Sequence, residues 1–116
     1  MLGFFDSGLG GLSILRAVKE KLPRYSTLYL GDNARTPYGS RSPDQIHRYT
    51  LEGVMELFRL GAELIVLACN TSSSVALRKI QQEYLPSHHP DRRVPGIIIP
   101  TAEEVTRLSQ TKKLGI

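Results

Sequence analysis

This chain of 116 residues predicts an α/β domain: a mostly parallel sheet with helices on both faces. Two observations carry that expectation. Short apolar runs and helical stretches alternate from end to end, as in βαβ units joined by right-handed crossovers. The run Leu64-Ile65-Val66-Leu67-Ala68 is also apolar at every position, as a strand covered on both faces should be. The length fits one domain.

Each element has its own signal. Residues 2–5, LGFF, form a short apolar run stopped by Asp6-Ser7-Gly8, which predicts a buried strand. From Gly11 the period becomes helical, with Leu12, Leu15, Val18 and Leu22 on one stripe, and Pro23 ends it. Thr27-Leu28-Tyr29-Leu30 predicts the second strand, closed by Gly31-Asp32-Asn33. The loop from Ala34 to Arg41 carries Thr36-Pro37-Tyr38-Gly39. Ser42 then serves as an N-cap with Pro43 at the first helical position. The helix that follows has Ile46, Tyr49, Val54, Leu57 and Phe58 on its apolar face and ends at Gly61. Residues 64–68 make the third strand, and a third helix is expected from Thr71 to Tyr84. Residues 85–95 read as a polar, proline-rich connection and residues 97–99 as a fourth strand. Pro100-Thr101-Ala102-Glu103 opens a fourth helix, and residues 112–116 begin a fifth strand.

Composition excludes several classes. Hydrophobic residues make up 41% and charged residues 22%, ordinary for a soluble globular protein. No apolar run approaches the roughly 18 residues of a membrane span. The leading MLGFFDSG lacks the basic start of a secretory signal. One cysteine forms no internal disulfide, which points to the reducing cytoplasm. Three histidines and that cysteine show no metal-ligand spacing, so no metal site is expected. The net charge of +4 is spread over helix surfaces and loops, where it solvates, and no nucleic-acid partner is expected.

In parallel sheets ligands bind beyond the carboxyl ends of the strands. Here those ends carry Asp6-Ser7, Tyr38-Gly39 in the loop after the second strand, Cys69-Asn70-Thr71, and Pro100-Thr101. The polar groups suited to chemistry thus converge on one edge. Cys69 leaves a buried strand where a helix begins. A helix amino terminus has unsatisfied N–H groups and roughly half a positive charge, which stabilises a thiolate. The same N–H groups beside Asn70 and Thr71 suit a carboxylate. A plainer reading stays open: Cys69 as a small apolar strand end, and Asn70-Thr71-Ser72 as a helix cap. The turn Asp6-Ser7-Gly8-Leu9-Gly10-Gly11 matches neither GxGxxG nor GxxxxGK[ST]. Asp6 nevertheless suits an ammonium and Ser7 a carboxylate.

Three segments, FDSGLGGLSILRAV, GDNARTPYGSRS and LIVLACNTSSSVAL, resemble in order and separation the amino-terminal domain of the glutamate racemases, within the wider group of cofactor-independent aspartate/glutamate racemases. The resemblance covers about residues 3–116. It implies two similar α/β domains with the active site between them. It also implies interconversion of L- and D-glutamate without a cofactor, supplying D-glutamate for peptidoglycan. One cysteine thiolate removes the α-proton, and a second cysteine returns a proton on the other face. Cys69 matches the first of these, and Asp6 a residue assisting it. Asp6-Ser7, Tyr38-Gly39 and Asn70-Thr71 match substrate-binding pairs. The implied partners are glutamate, the second domain and, in a homodimer, another copy. The chain departs from the pattern at three points. It lacks the second cysteine with its GCTH-type motif, it stops at Leu114-Gly115-Ile116 where a strand should continue, and it has Ile99 where many members place a glutamate. The expectation is therefore a fragment truncated in mid-strand. The other readings are an inactive amino-acid-binding domain, an aspartate racemase, or a thiol enzyme using Cys69 as nucleophile, which lacks a histidine partner.

Overall fold

The computed structural model describes residues 1–98, 100, 103, 104 and 107. Three parallel strands form its sheet: β1 (Leu2–Asp6), β2 (Thr27–Gly31) and β3 (Leu64–Leu67), in the order β2-β1-β3. Gly3 lies level with Leu28 and Ile65, and Phe5 with Leu30 and Leu67. Alternation then divides the strand residues between two faces. Gly3, Phe5, Ile65 and Leu67 share one face; Phe4, Asp6 and Tyr29 share the other.

The first face holds the core. Helix α2 (Pro43–Arg59) packs there and buries Ile46, Tyr49, Thr50, Gly53, Val54, Leu57 and Phe58. It starts as predicted: the Ser42 side chain accepts from the Gln45 N–H, while Gln45 accepts in return from the Ser42 N–H. This capping box satisfies two donors that the helix itself leaves open. Gly61, at φ 104°, supplies the left-handed turn after the helix. Gly53 allows the closest approach to the sheet, for a Cβ there would lie 2.3 Å from Cε2 of Phe5.

The second face is covered by α1 (Leu12–Lys21), which contains no buried residue. Its predicted stripe exists, yet Leu12 is 43% exposed.

After β3 the chain stays helical for longer than predicted. Helix α3 (Asn70–Val75) breaks at Ala76, and α4 (Leu77–Lys79) follows. A π-helical segment spans Ile80–Tyr84, and α5 (Leu85–His88) runs through Pro86. Leu85 donates to the Ile80 carbonyl, five residues back. Proline lacks an N–H and crowds the preceding turn, and the wider π turn accommodates it. Residues 85–88 are thus helix rather than connection.

The fourth strand also differs from expectation. The pairing beside β3 falls at residues 93–96, where bridges join Leu64 to Arg93 and Leu67 to Gly96, whereas Ile98 of the predicted strand is helical. The N–H groups of Ile65 and Leu67 donate to the carbonyls of Arg93 and Pro95. Gly96 is already level with Leu67, the last residue of β3. Pro95 cannot donate to a further ladder, which limits the pairing to bridges. Ile98, Pro100, Glu103, Glu104 and Arg107 are helical. Position 99 and the predicted strand at 112–116 lie outside the described residues.

Candidate active site

The carboxyl ends of β1 and β3 bring Asp6, Ser7 and Cys69 together. Cys69 is the N-cap of α3 in extended conformation, and its Sγ accepts from the Ser72 N–H at 3.5 Å. Ser7 Oγ lies 3.5 Å from the same sulfur. The backbone ladder continues to this point, with the Ala68 N–H donating to the Phe5 carbonyl at 2.8 Å. The strand therefore aims the thiol, as the sequence suggests. The residue is buried, with 7% exposure.

Asp6 is a buried carboxylate, 6% exposed. Its Oδ2 accepts from the Gly11 N–H at 2.8 Å and lies 3.3 Å from the Tyr29 hydroxyl. That hydroxyl also donates to the Gly8 carbonyl at 2.8 Å. Burial, and then the adjacent Asp6 carboxylate, push the Tyr29 hydroxyl up to about 12. The other Asp6 oxygen accepts no hydrogen bond among the described residues, where no polar side-chain atom is both buried and unpartnered. Oδ1 therefore reaches the surface.

Gly11 needs its lack of a side chain. A Cβ there would lie 2.9 Å from Cβ of Ala68 and 3.0 Å from Cβ of Asp6. The glycine-rich turn holds a carboxylate of the protein itself rather than a phosphate.

Tyr38 is in the 3₁₀ turn Tyr38–Ser40, with its ring buried at 1% exposure. Its hydroxyl donates to Asp32. Burial first, and that hydrogen bond second, hold it well above the ordinary tyrosine range. Tyr38 can therefore offer a ligand its backbone but not its hydroxyl. Gly39 is exposed beside it.

Behind the cysteine, Asn70 is exposed and Thr71 half-buried. The serines that follow are occupied. Ser72 Oγ accepts from Thr50 Oγ1 at 3.0 Å, Ser73 Oγ donates to the Leu67 carbonyl, and Ser74 Oγ donates to the Thr71 carbonyl. The row of hydroxyls after Cys69 thus fastens α3 to α2 and β3, and only Asn70 and Thr71 remain toward the edge.

Sequence reasoning missed two contributors. Tyr29 reads as one more apolar strand residue, and only the register places it on the Asp6 face. Asp32 reads as a strand terminator. Its spacing of three from Arg35 was the available signal, and the pair is bonded at 2.7 Å. The Ser72 N–H at Cys69 Sγ, by contrast, is one of the helix-start N–H groups expected beside that thiol.

No protein-family model matches the chain. Glutamate racemase of Jannaschia sp. is 48% identical over 105 residues, covering 90% of this chain and 38% of its own length. The structure of glutamate racemase from Aquifex pyrophilus superimposes with a TM-score of 0.87 at 42% identity, over 97% of this chain and 42% of that one. Glutamate racemase from Francisella tularensis, solved in complex with D-glutamate, gives a TM-score of 0.79 at 31% identity, over 92% and 39% of the two chains. The chain shares its α/β fold with part of each of these solved structures. More closely, the chain is a relative of the glutamate racemases and spans about 38% of the length of the curated relatives it matches. Among the described residues no helix is long and apolar enough to cross a membrane.

Proposed function

We propose that this chain is the amino-terminal half-site of a glutamate racemase that interconverts L- and D-glutamate by two-base proton transfer without a cofactor. The observation that carries the reading is the meeting of Cys69 Sγ and Ser7 Oγ at 3.5 Å beside the half-pinned Asp6 carboxylate. The naming of its relatives as glutamate racemases supports it.

The chemistry follows from the substrate. An amino acid α-proton is weakly acidic, and without an electron sink the developing charge needs preorganised donors. Cys69 as thiolate takes the α-proton on one face. Asp6, through its free oxygen, assists that transfer and receives the substrate ammonium. Ser7, the backbone of Tyr38 and Gly39, and Asn70 with Thr71 hold the carboxylates. Inversion requires return of a proton on the opposite face. This chain has one cysteine, so a second domain supplies the other acid and closes the site against water, which strengthens the remaining hydrogen bonds. The product serves peptidoglycan synthesis in the cytoplasm.

Circular dichroism of L-glutamate incubated with protein tests the reading. The 116-residue chain alone should leave the signal unchanged. A protein in which the same chain continues into a cysteine-bearing second domain should erase it without added cofactor. Cys69→Ala in that protein should abolish most of the activity. Robust racemisation by the short chain, indifference to Cys69→Ala, or a need for pyridoxal phosphate would overturn the proposal.

A further inference from the structure

One carboxylate organises the loop that flanks the thiol. Asp32 directly follows β2, and its N–H donates to the Asp6 carbonyl at 3.0 Å. It thereby extends the β1–β2 ladder by one step at the site itself. Its side chain is only 10% exposed. The Oδ2 atom accepts from the Tyr38 hydroxyl and, at 2.7 Å, from Arg35 Nε. Arg35 reaches on to Glu52 of α2, also at 2.7 Å, and its guanidinium lies 3.9 Å above the Tyr49 ring. Arg41 donates twice to the Arg35 carbonyl, which closes the loop on itself. The Tyr38 ring, with its centroid 6.3 Å from that of Phe5 and 5.9 Å from that of Tyr49, seats the loop in the core. The turn Tyr38–Ser40 then packs against α3, the helix that Cys69 caps.

We propose that Asp32 is a positioning residue: by clamping Tyr38 and Arg35 it holds the Tyr38–Gly39 turn against α3, which keeps the Cys69 thiol covered. The meaning of this for substrate rests on the function proposed above, because the clamp presents the Tyr38–Gly39 backbone, not the Tyr38 hydroxyl, to the edge. The clamp itself does not rest on that function. Its geometry separates two contributions. Removing the carboxylate releases both donors, whereas an amide of the same shape still accepts from each.

Cys69 is the only cysteine, so its alkylation by iodoacetamide, followed by mass spectrometry, reports the cover directly. The rate should be measured on the 116-residue chain at fixed pH, without and with low urea, for the wild type and for Asp32→Ala, Asp32→Asn, Tyr38→Phe and Asp32→Ala/Tyr38→Phe. Asp32→Ala and Tyr38→Phe should each accelerate alkylation by about five-fold or more, through local opening that does not depend on urea. Asp32→Asn should change it much less. The double variant should be no faster than the faster single one, since both break the same contact. Ser42→Ala, which weakens α2 without touching the clamp, is the control and should leave the rate unchanged. Single variants alkylated at the wild-type rate, effects that multiply in the double variant, or an equal acceleration in Ser42→Ala would each overturn the clamp. Failure of the two-domain protein to racemise glutamate would overturn the proposed function and leave this result standing.

Discussion

Helices α1 and α2 flank the same sheet and carry the same kind of helical apolar stripe, yet they are held in opposite ways. The longer α2 buries seven residues, starts with a capping box and meets Phe5 across Gly53 with no room for a methyl group. The shorter α1 buries none, and its N-cap Gly11 makes no side-chain cap bond. What secures the chain on that side is polar and lies just ahead of the helix: Gly11 N–H to Asp6, and Tyr29 hydroxyl to Gly8. Periodicity therefore predicts a helix and its apolar face, but not what the face is pressed against. The two sides also divide the labour. One supplies the core, and the other anchors the carboxylate of the candidate site.

The widest gap between the sides should appear in truncations. Leu57→Ala empties a fully buried position and is expected to cost about 2–5 kcal/mol. Val18→Ala, on a helix without buried residues, should cost less than about 1 kcal/mol. Urea unfolding of both variants gives the comparison, and equal losses would break it.

A substitution on the polar side sharpens it. Gly11→Ala would press a methyl group against Ala68, Asp6 and the Tyr29 hydroxyl. Overpacking of this kind is expected to cost about 1–3 kcal/mol. It should also slow or abolish any reaction that uses Asp6, so stability and turnover should fall together. Full stability in Gly11→Ala would mean that the Asp6 turn is looser than its contacts indicate.

The smallest expected effect is a pH dependence. Tyr29 holds its proton to about 12 in the folded chain, against 10.0 for an unperturbed tyrosine. Between those values the unfolded chain binds fewer protons than the folded one. The contribution is thus fully present below pH 10.0 and is lost as pH rises toward 12. Tyr38, on the α2 side, has a raised value as well and adds to the same slope. Unfolding monitored against pH in this range should show falling stability, and Tyr29→Phe should flatten part of the fall. An unchanged slope in Tyr29→Phe would show that the polar anchor carries no such linkage.

Much of the fold is legible in the residues alone. Strands at 2–5, 27–30 and 64–68 follow from apolar runs ended by polar or glycine residues, and each agrees with the structure to within one residue. The start of α2 is legible because Ser42-Pro43 is a local signal that needs no partner. The fourth strand was misplaced because its position depends on where β3 ends: Ile97-Ile98-Ile99 has the better strand composition, but Arg93 to Gly96 is the stretch that lies beside Leu64 to Leu67. The helix through Pro86 was missed because proline is a strong local stop signal, and only the π turn before it shows how the stop is bypassed.

The site divides in the same way. That Asp6, Ser7, Cys69, Asn70 and Thr71 share one edge was determined by the sequence itself, because alternating strands and helices put every strand's carboxyl end on the same side. Which groups remain available there was decided by the tertiary structure. Ser72 and Ser73 turn inward to Thr50 and Leu67, and the Tyr38 hydroxyl turns to Asp32. Asp6 gives one oxygen to Gly11 and Tyr29 and keeps the other. The physical reason is that strand order and polarity are local properties of the chain. A hydrogen bond between residues many positions apart, such as the 22 that separate Thr50 from Ser72, exists only once packing has brought both partners into one buried place, where leaving either unpaired would be costly.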